Sequence, residues 1–396
     1  MSSIASPIEN LIQRTIRADV RAQHAYAVPN ASGMLKLEAM ENPYLLPPEL
    51  RSALGAHLAE VALNRYPVPS YTRLKSAICR EFGVPAGFDV VLGNGSDELI
   101  TMLVQACVRH GGNEAVVADL TAARPASQPG TQHGNSENQP ANVVLAPLPT
   151  FVMYALSAQL AGMQFVGVDL KADLTLDLPA MLAAIEQHQP ALIFLSYPNN
   201  PTGTLFAEHE IEQILATAPG IVVVDEAYQP FAGTSFMPRL PEFHNLVVMR
   251  TVSKLGLAGI RLGYMSAHPA LLAQVDKVRP PYNINVLTQA AAEFLLEHGS
   301  VFAEQAANLC QARSDLTQAL QALGLQVFSS SANFLLVRFE NGEPVFQKLL
   351  QQKVLVKNVG KMHALLHNCL RITVSTPQEN QLLLQAVQQA LTPGKE

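Results

Sequence analysis

The sequence predicts the α/β class: a mostly parallel sheet sandwiched by helices, with a smaller α+β unit after it. Two observations carry this. Between Val90 and Ser266, short and nearly uninterrupted apolar runs alternate with stretches of helical periodicity, the pattern of parallel strands buried on both faces. After Pro280 that alternation gives way to long helices and closely spaced short strands. Composition sets the scale. The chain has 396 residues, 48% hydrophobic and only 15% charged, enough apolar material for more than one core and too little charge for a disordered polymer. Its 27 prolines and 23 glycines are spread along the chain, which suits many short connections.

In order, residues 1–35 read as an arm with a short helix near Ile8–Arg21. The strand Val90–Leu92 leads into Gly93-Asn-Gly95-Ser96 and a helix over Asp97–Arg109. Strands follow at Asn142–Ala146, Phe165–Val168, Ala191–Ser196, Ile221–Asp225, Leu246–Met249 and Leu262–Ser266, with helices at Phe151–Ala161, Pro179–Gln187 and Glu208–Ala216. Thr121–Ala141 is rich in Pro, Gln, Asn, Ser and Gly, cannot bury apolar surface, and reads as a mobile polar insertion. Past Pro280 come helices Thr288–Glu297 and Val301–Ala322, paired strands Gln326–Ser329 and Phe334–Arg338, and a helix Val345–Gln352. Short strands Val354–Lys357 and Leu370–Val374 and a helix Gln378–Leu391 close the pattern. The predicted division is an arm (1–45) joining the small domain, a large domain (46–280) and a small C-terminal domain (281–396).

Charge and cysteine usage exclude several classes. With 26 Lys and Arg against 32 Asp and Glu, the net charge is −6, so the chain as a whole has no electrostatic footprint for nucleic acid or anionic lipid. No apolar run reaches the ~18 residues of a membrane helix. Cys79, Cys107, Cys310 and Cys369 lie far apart with no CxxC pair or Cys/His cluster, which suggests neither a metal site nor a disulfide framework. The N-terminal residues lack a basic-then-apolar leader, and the expectation is a cytoplasmic protein.

Four stretches could carry chemistry. In Thr251-Val-Ser253-Lys254-Leu-Gly-Leu-Ala-Gly-Ile-Arg261 a lysine follows a strand directly and enters small, apolar residues. Such a setting lowers an ammonium pKa, as a Schiff-base lysine requires; Thr251, Ser253 and Arg261 suit a phosphate. A solvated lysine is the ordinary alternative. In Val222-Val-Val-Asp225-Glu-Ala-Tyr228 an aspartate ends a buried strand, where ligands bind in parallel sheets; it reads as a helix cap or as an anion that keeps a pyridinium nitrogen protonated. Ser196-Tyr-Pro-Asn-Asn200-Pro-Thr-Gly203 is a good turn that also offers the Asn200 amide at a sheet end. Gly95-Ser96-Asp97 opens a helix, where free N–H groups seat phosphate. Gly93 and Gly95 imitate two glycines of a dinucleotide fingerprint, but Glu98 stands at the third.

Taken together, this ordered set resembles the fold-type I pyridoxal-phosphate aminotransferases of class I/II over nearly the whole chain, Thr121–Ala141 excepted. The resemblance implies that Lys254 bonds the aldehyde of pyridoxal 5'-phosphate and moves the proton, that Asp225 pairs with the pyridine nitrogen, and that Tyr228 and Asn200 hydrogen-bond its 3′ oxygen. It places Phe151 on the ring and gives Gly95, Ser96, Asp97, Thr251, Ser253 and Arg261 to the phosphate. Tyr66 would reach the phosphate of a neighbouring subunit, so a homodimer with shared sites is implied. Arg371 would clamp the substrate's carboxylate or phosphate.

The ends resemble the histidinol-phosphate branch of that family, through Glu41-Asn42-Pro43-Tyr44, Tyr26 and the pair Lys357 and Arg371. Tyr26, Asn42, Lys357 and Arg371 would then bind substrate, with Lys357 standing where many relatives carry arginine. The implied reaction converts L-histidinol phosphate and 2-oxoglutarate into imidazole-acetol phosphate and L-glutamate. Aromatic amino acid transamination and threonine-phosphate decarboxylation are the same-fold alternatives. A non-catalytic effector-binding domain is a remote one, since residues 1–40 are too short and not basic enough for a DNA-binding module.

Overall fold

The fold was obtained as a computed structural model that describes residues 6–23, 29–109 and 141–392. In chain order the strands are β1 (Leu35–Lys36), β2 (Asp89–Asn94), β3 (Ala141–Leu148), β4 (Gln164–Asp169), β5 (Pro190–Ser196), β6 (Ile221–Asp225) and β7 (Leu246–Thr251). Then come β8 (Leu262–Ala267), β9 (Gln326–Val327), β10 (Phe334–Arg338), β11 (Val354–Leu355), β12 (Lys357–Asn358) and β13 (Cys369–Thr373).

β2 to β8 form one seven-stranded sheet in the order β2-β8-β7-β6-β5-β3-β4. The pairs among β3 to β7 are parallel. β8 runs antiparallel to both β2 and β7, so the sheet is mixed at one place. An apolar run buried on both faces has the same composition in either direction; only connection length records the reversal, and β7 and β8 are joined by too few residues for a parallel crossover.

Both faces are covered, and the period of two shows it. Val222 and Val224 enter one core with Ile193, Leu195 and Leu92; Val223 enters the opposite one with Leu192, Phe194 and Val91. Each such side chain contributes roughly 1.5–3 kcal/mol when withdrawn from water. A third core joins β10 and β13 to Leu309, Leu316, Leu320, Leu383 and Val387 on the long helices, beneath the antiparallel sheet β12-β13-β10-β9.

Three expectations need correction. The arm helix is broken: Pro7–Thr15 and Ala18–Arg21 are separate helices, with Ile16 extended between them. Val354–Lys357 is not one strand but two short pieces, β11 pairing with β1 and β12 with β13. The change of core does not fall at Pro280. Ile284, Ala292, Leu295, Leu296 and Phe302 pack in the first core, and the switch comes inside the helix Gly299–Ala322, whose Leu309 and Leu316 belong to the third. A proline pair marks a loop, not where one hydrophobic face ends. The polar stretch 121–140 lies outside the described residues, and Ala141 opens β3.

Residues 37–42 thread between the two units. Leu37 donates its N–H to Leu355 and accepts from Thr373. Met40 sits at φ 52, a left-handed conformation that costs energy for a side chain without local hydrogen bonds of its own. It is held there by Thr373 Oγ1, which accepts from its N–H, and by Asn333 Nδ2, which donates to its carbonyl.

Candidate active site

The ends of β5, β6 and β7 and the starts of the helix Gly95–Cys107 and of β8 converge on one cavity of about 440 Å³. It is lined by Ser96, Asp97, Phe151, Asn200, Asp225, Tyr228, Thr251, Ser253, Lys254 and Arg261, together with Ala39 to Glu41. Ten side chains picked out along the sequence therefore meet at the carboxyl edge of the sheet, the place where open α/β sheets bind ligands.

Asp225 ends β6 and is 3% exposed. Tyr154 donates to its Oδ2 at 2.7 Å and the Ala227 N–H to its Oδ1 at 3.1 Å. Burial raises its pKa to about 6, against the pull of those two donors. Both donors are neutral, so the carboxylate faces the cavity with its charge uncompensated by them. The neighbouring Glu226 differs: Arg250 Nε donates to it at 2.8 Å, as do Ser235 Oγ at 2.9 Å and the Phe236 N–H. That buried pair is a brace behind the site.

Lys254 follows β7 and its ammonium donates to the carbonyl of Ala39 at 2.8 Å. Burial lowers its pKa to about 8, and the Arg371 guanidinium pushes the same way. An amine with that pKa has a sizeable neutral, nucleophilic fraction near neutrality. Tyr228 is buried and packs edge-on against Phe334 at 5.2 Å; burial raises its hydroxyl pKa, so it stays protonated. Phe151 meets the Tyr154 ring edge-on at 5.6 Å.

The anion seat is built by close backbone approach. Gly95 has φ 74, and a Cβ there would lie 2.7 Å from the Arg261 guanidinium. Glycine lets Arg261 fold over the helix N-terminus, where it pairs with Asp97 at 3.5 Å. Thr251 Oγ1 and Ser253 Oγ lie 2.8 Å apart. Two hydroxyls, a guanidinium and the first N–H groups of a 13-residue helix make a phosphate-binding set. Gly263 supports it from below: a Cβ there would stand 2.7 Å from the Gly95 carbonyl carbon and 3.0 Å from the Ser96 nitrogen. Gly263→Ala is therefore expected to push the helix start outward, lower stability by about 1–3 kcal/mol and weaken inorganic phosphate binding about tenfold, measured by thermal melting and calorimetry.

The predicted substrate groups are spread more widely. Arg371 is 9% exposed, donating to Asn200 Oδ1 at 2.6 Å and to the Glu38 carbonyl at 2.8 Å. Lys357 lies directly across from it on β12, so the two side chains leave the sheet on one face, yet Lys357 lines a smaller neighbouring cavity with Glu38 and Lys361. Asn42 does not line the main cavity. Its amide donates to the Leu255 carbonyl and to Gln305 Oε1, which braces the lysine loop. Tyr66 is 80% exposed and stacks on Tyr282 at 4.6 Å, outside the cavity of its own chain. Tyr26 lies outside the described residues. Sequence reasoning missed Tyr154, although it stands one helical turn after Phe151, and missed Ala39 to Glu41 as cavity wall.

A buried amine, a buried carboxylate and an anion seat thus share one cavity at the carboxyl edge of an α/β sheet, the place where enzymes of this class hold their ligands. The pattern of the family described as aminotransferase class I and II matches residues 136–387, and this chain belongs to that family. It is similar to histidinol-phosphate aminotransferase 1 of Ralstonia nicotianae, at 56% identity over 96% of this chain and 95% of that protein. It is likewise similar to histidinol-phosphate aminotransferase 2 of Cupriavidus pinatubonensis, at 55% identity over 97% and 98%. The fold is shared with histidinol-phosphate aminotransferase from Sinorhizobium meliloti in complex with pyridoxal-5'-phosphate, with TM-score 0.76 and 22% identity over 95% and 97% of the two chains.

Proposed function

We propose that this chain is a pyridoxal-phosphate aminotransferase that exchanges the amino group of L-histidinol phosphate with 2-oxoglutarate. The observation that carries the reading is the joint placement of Lys254, Asp225 and the anion seat around one cavity, in a chain at least 55% identical over nearly its full length to proteins named for that reaction.

The residues fit the cofactor. An uncompensated buried carboxylate suits a protonated ring nitrogen, the Gly95–Arg261 cradle suits a phosphate, and Lys254 suits an aldehyde. When bound, pyridoxal phosphate supplies the carbonyl that accepts the amino group and a ring that spreads negative charge. The chain supplies the rest. Asp225 would hold the ring nitrogen protonated. Tyr228 and Asn200, which line the same cavity, would hydrogen-bond the ring's hydroxyl, and Phe151 would pack on the ring. Lys254 Nζ would hold the aldehyde and would move a proton at the substrate's Cα. Arg371 clamps the anionic end of each substrate, since its fork fits carboxylate and phosphate alike, with Lys357 as a second, point-like cation.

A homodimer belongs to this reading. Leu63, Tyr66 and Val68, close in sequence, are 68%, 80% and 68% exposed, and such exposed apolar side chains support contact with a second copy, where Tyr66 would reach the partner's phosphate seat. No helix among the described residues is long and apolar enough to cross a membrane.

The test is a half-reaction. Histidinol phosphate alone, added to the cofactor-loaded protein, is expected to convert the visible absorbance to that of pyridoxamine phosphate, and 2-oxoglutarate to restore it. An unchanged spectrum would end the proposal, and carbon dioxide release from threonine phosphate would favour the decarboxylase.

A further inference from the structure

We propose that Tyr154 is a positioning residue that acts through Asp225: its hydroxyl fixes the carboxylate's orientation and keeps it charged for a cationic ring nitrogen. This rests on the cofactor reading above. The geometry is specific. Tyr154 projects from the helix Met153–Ala161, is fully buried, and stacks on Phe194 of β5 at 4.6 Å with the rings 7° from parallel. Phe151 closes its other side edge-on. With the ring held from two directions, the hydroxyl has one fixed place, 2.7 Å from Asp225 Oδ2. The second oxygen is held by the Ala227 N–H. Asp225 thus has one neutral donor on each oxygen, and its rotation about the side-chain bonds is blocked.

The chemistry follows from what surrounds the carboxylate. Asp97, at the start of the helix after β2, and Glu226, next in sequence, both disfavour its charge, and Glu226 is paired with Arg250. Tyr228 and Lys254 line the same cavity. Burial is the largest influence and also favours the neutral acid; the Tyr154 hydroxyl is the foremost group opposing it. Tyr154 can perform this at any working pH, because burial and Asp225 raise its own pKa well above the usual phenol value and it remains a donor. Removing the hydroxyl leaves Asp225 buried beside two like charges with one donor, so its proton is lost only at higher pH. Pairing with a protonated ring nitrogen then fails over the acid half of the neutral range.

The experiment uses the full chain stripped of cofactor, with pyridoxamine 5'-phosphate as the probe, because its binding needs no covalent bond to Lys254. Affinity is measured by calorimetry from pH 5 to 9. For the natural chain it should fall as pH drops through about 6. In Tyr154→Phe, which keeps the stacked ring, the fall should begin at least half a pH unit higher. The affinity ratio between the two proteins should then grow at least about twofold from pH 8.5 to pH 6 and approach about threefold at pH 5, the full factor for half a pH unit. Tyr154→His, which restores an N–H donor, should lie between them. In the Asp225→Asn background, Tyr154→Phe should leave the shape of the profile unchanged. Profiles that differ only by a constant factor, or a His variant indistinguishable from Phe, would reduce Tyr154 to packing and overturn the inference alone. Absence of pyridoxamine phosphate binding in the natural chain would overturn the cofactor reading as well.

Discussion

Lys254→Ala is expected to abolish transamination, with kcat lower by about 10³-fold or more, since both a covalent anchor and a proton carrier are lost. The side chain reaches across the cavity to the Ala39 carbonyl and packs 6.0 Å from the Tyr228 ring centre, so truncation leaves space and no buried charge, and the fold should survive. Two readouts separate this from general damage. Borohydride reduction of the loaded natural chain should attach the cofactor's mass to the peptide carrying residue 254, and to no peptide of the variant. A small primary amine added to the medium should restore part of the activity by replacing the missing proton carrier. Reductive labelling at any other lysine would refute the assignment.

Asp225→Asn is the second large effect, and it carries a sign that separates stability from function. The carboxyl pKa is raised from 3.8 to about 6 in the folded chain, so the native state holds the proton more tightly than the unfolded one. Stability of the cofactor-free protein therefore falls as pH rises from about 4 to about 6, by about 1.4 kcal/mol for each pH unit in that window. The neutral amide should make the cofactor-free chain more stable than the natural one above pH 6, by a few kcal/mol at most, and no more stable below pH 4. Activity should move the other way, with kcat/KM down by about 10²–10³-fold or more through loss of a preorganised charge. Melting curves with and without cofactor should show a larger cofactor-induced rise in Tm for the natural chain. An equal rise in both proteins would mean that Asp225 does not face the ring nitrogen.

The cavity is largely legible in the sequence because its members stand where strands end. Asp225 ends an apolar strand and Lys254 and Asn200 stand within four residues of one, and a parallel sheet brings such ends together whatever the loops do. The strands themselves are legible for the same reason. The helices Pro48–Ala59 and Thr72–Glu81 and the short helix Pro269–Val275 are not, although the structure contains them. The first buries only Leu50, so its sequence has hardly any apolar stripe to detect. Tyr154 escapes notice because a lone tyrosine on an apolar helix looks like core, and its hydroxyl finds Asp225 only once the sheet is assembled. Ala39 and Met40 carry no chemical signature at all; they are wall because backbone bonds to Thr373 and Asn333 put them there. The strand reversal at β8 and the split at β11 and β12 depend on pairing partners, which a local pattern does not encode.

The threading of residues 37–42 sets an order of events during biosynthesis. Glu38, Ala39 and Met40 are anchored by Arg371, Lys254 and Thr373, and two of those partners lie 333 residues further on. A ribosome would have to deliver almost the whole polypeptide before this early segment has anything to grip. Ends that distant meet slowly, because closing so long a loop has a large entropic cost. The part of the cavity wall that residues 39–41 supply is therefore fixed in place only after residues 371 and 373 have been made.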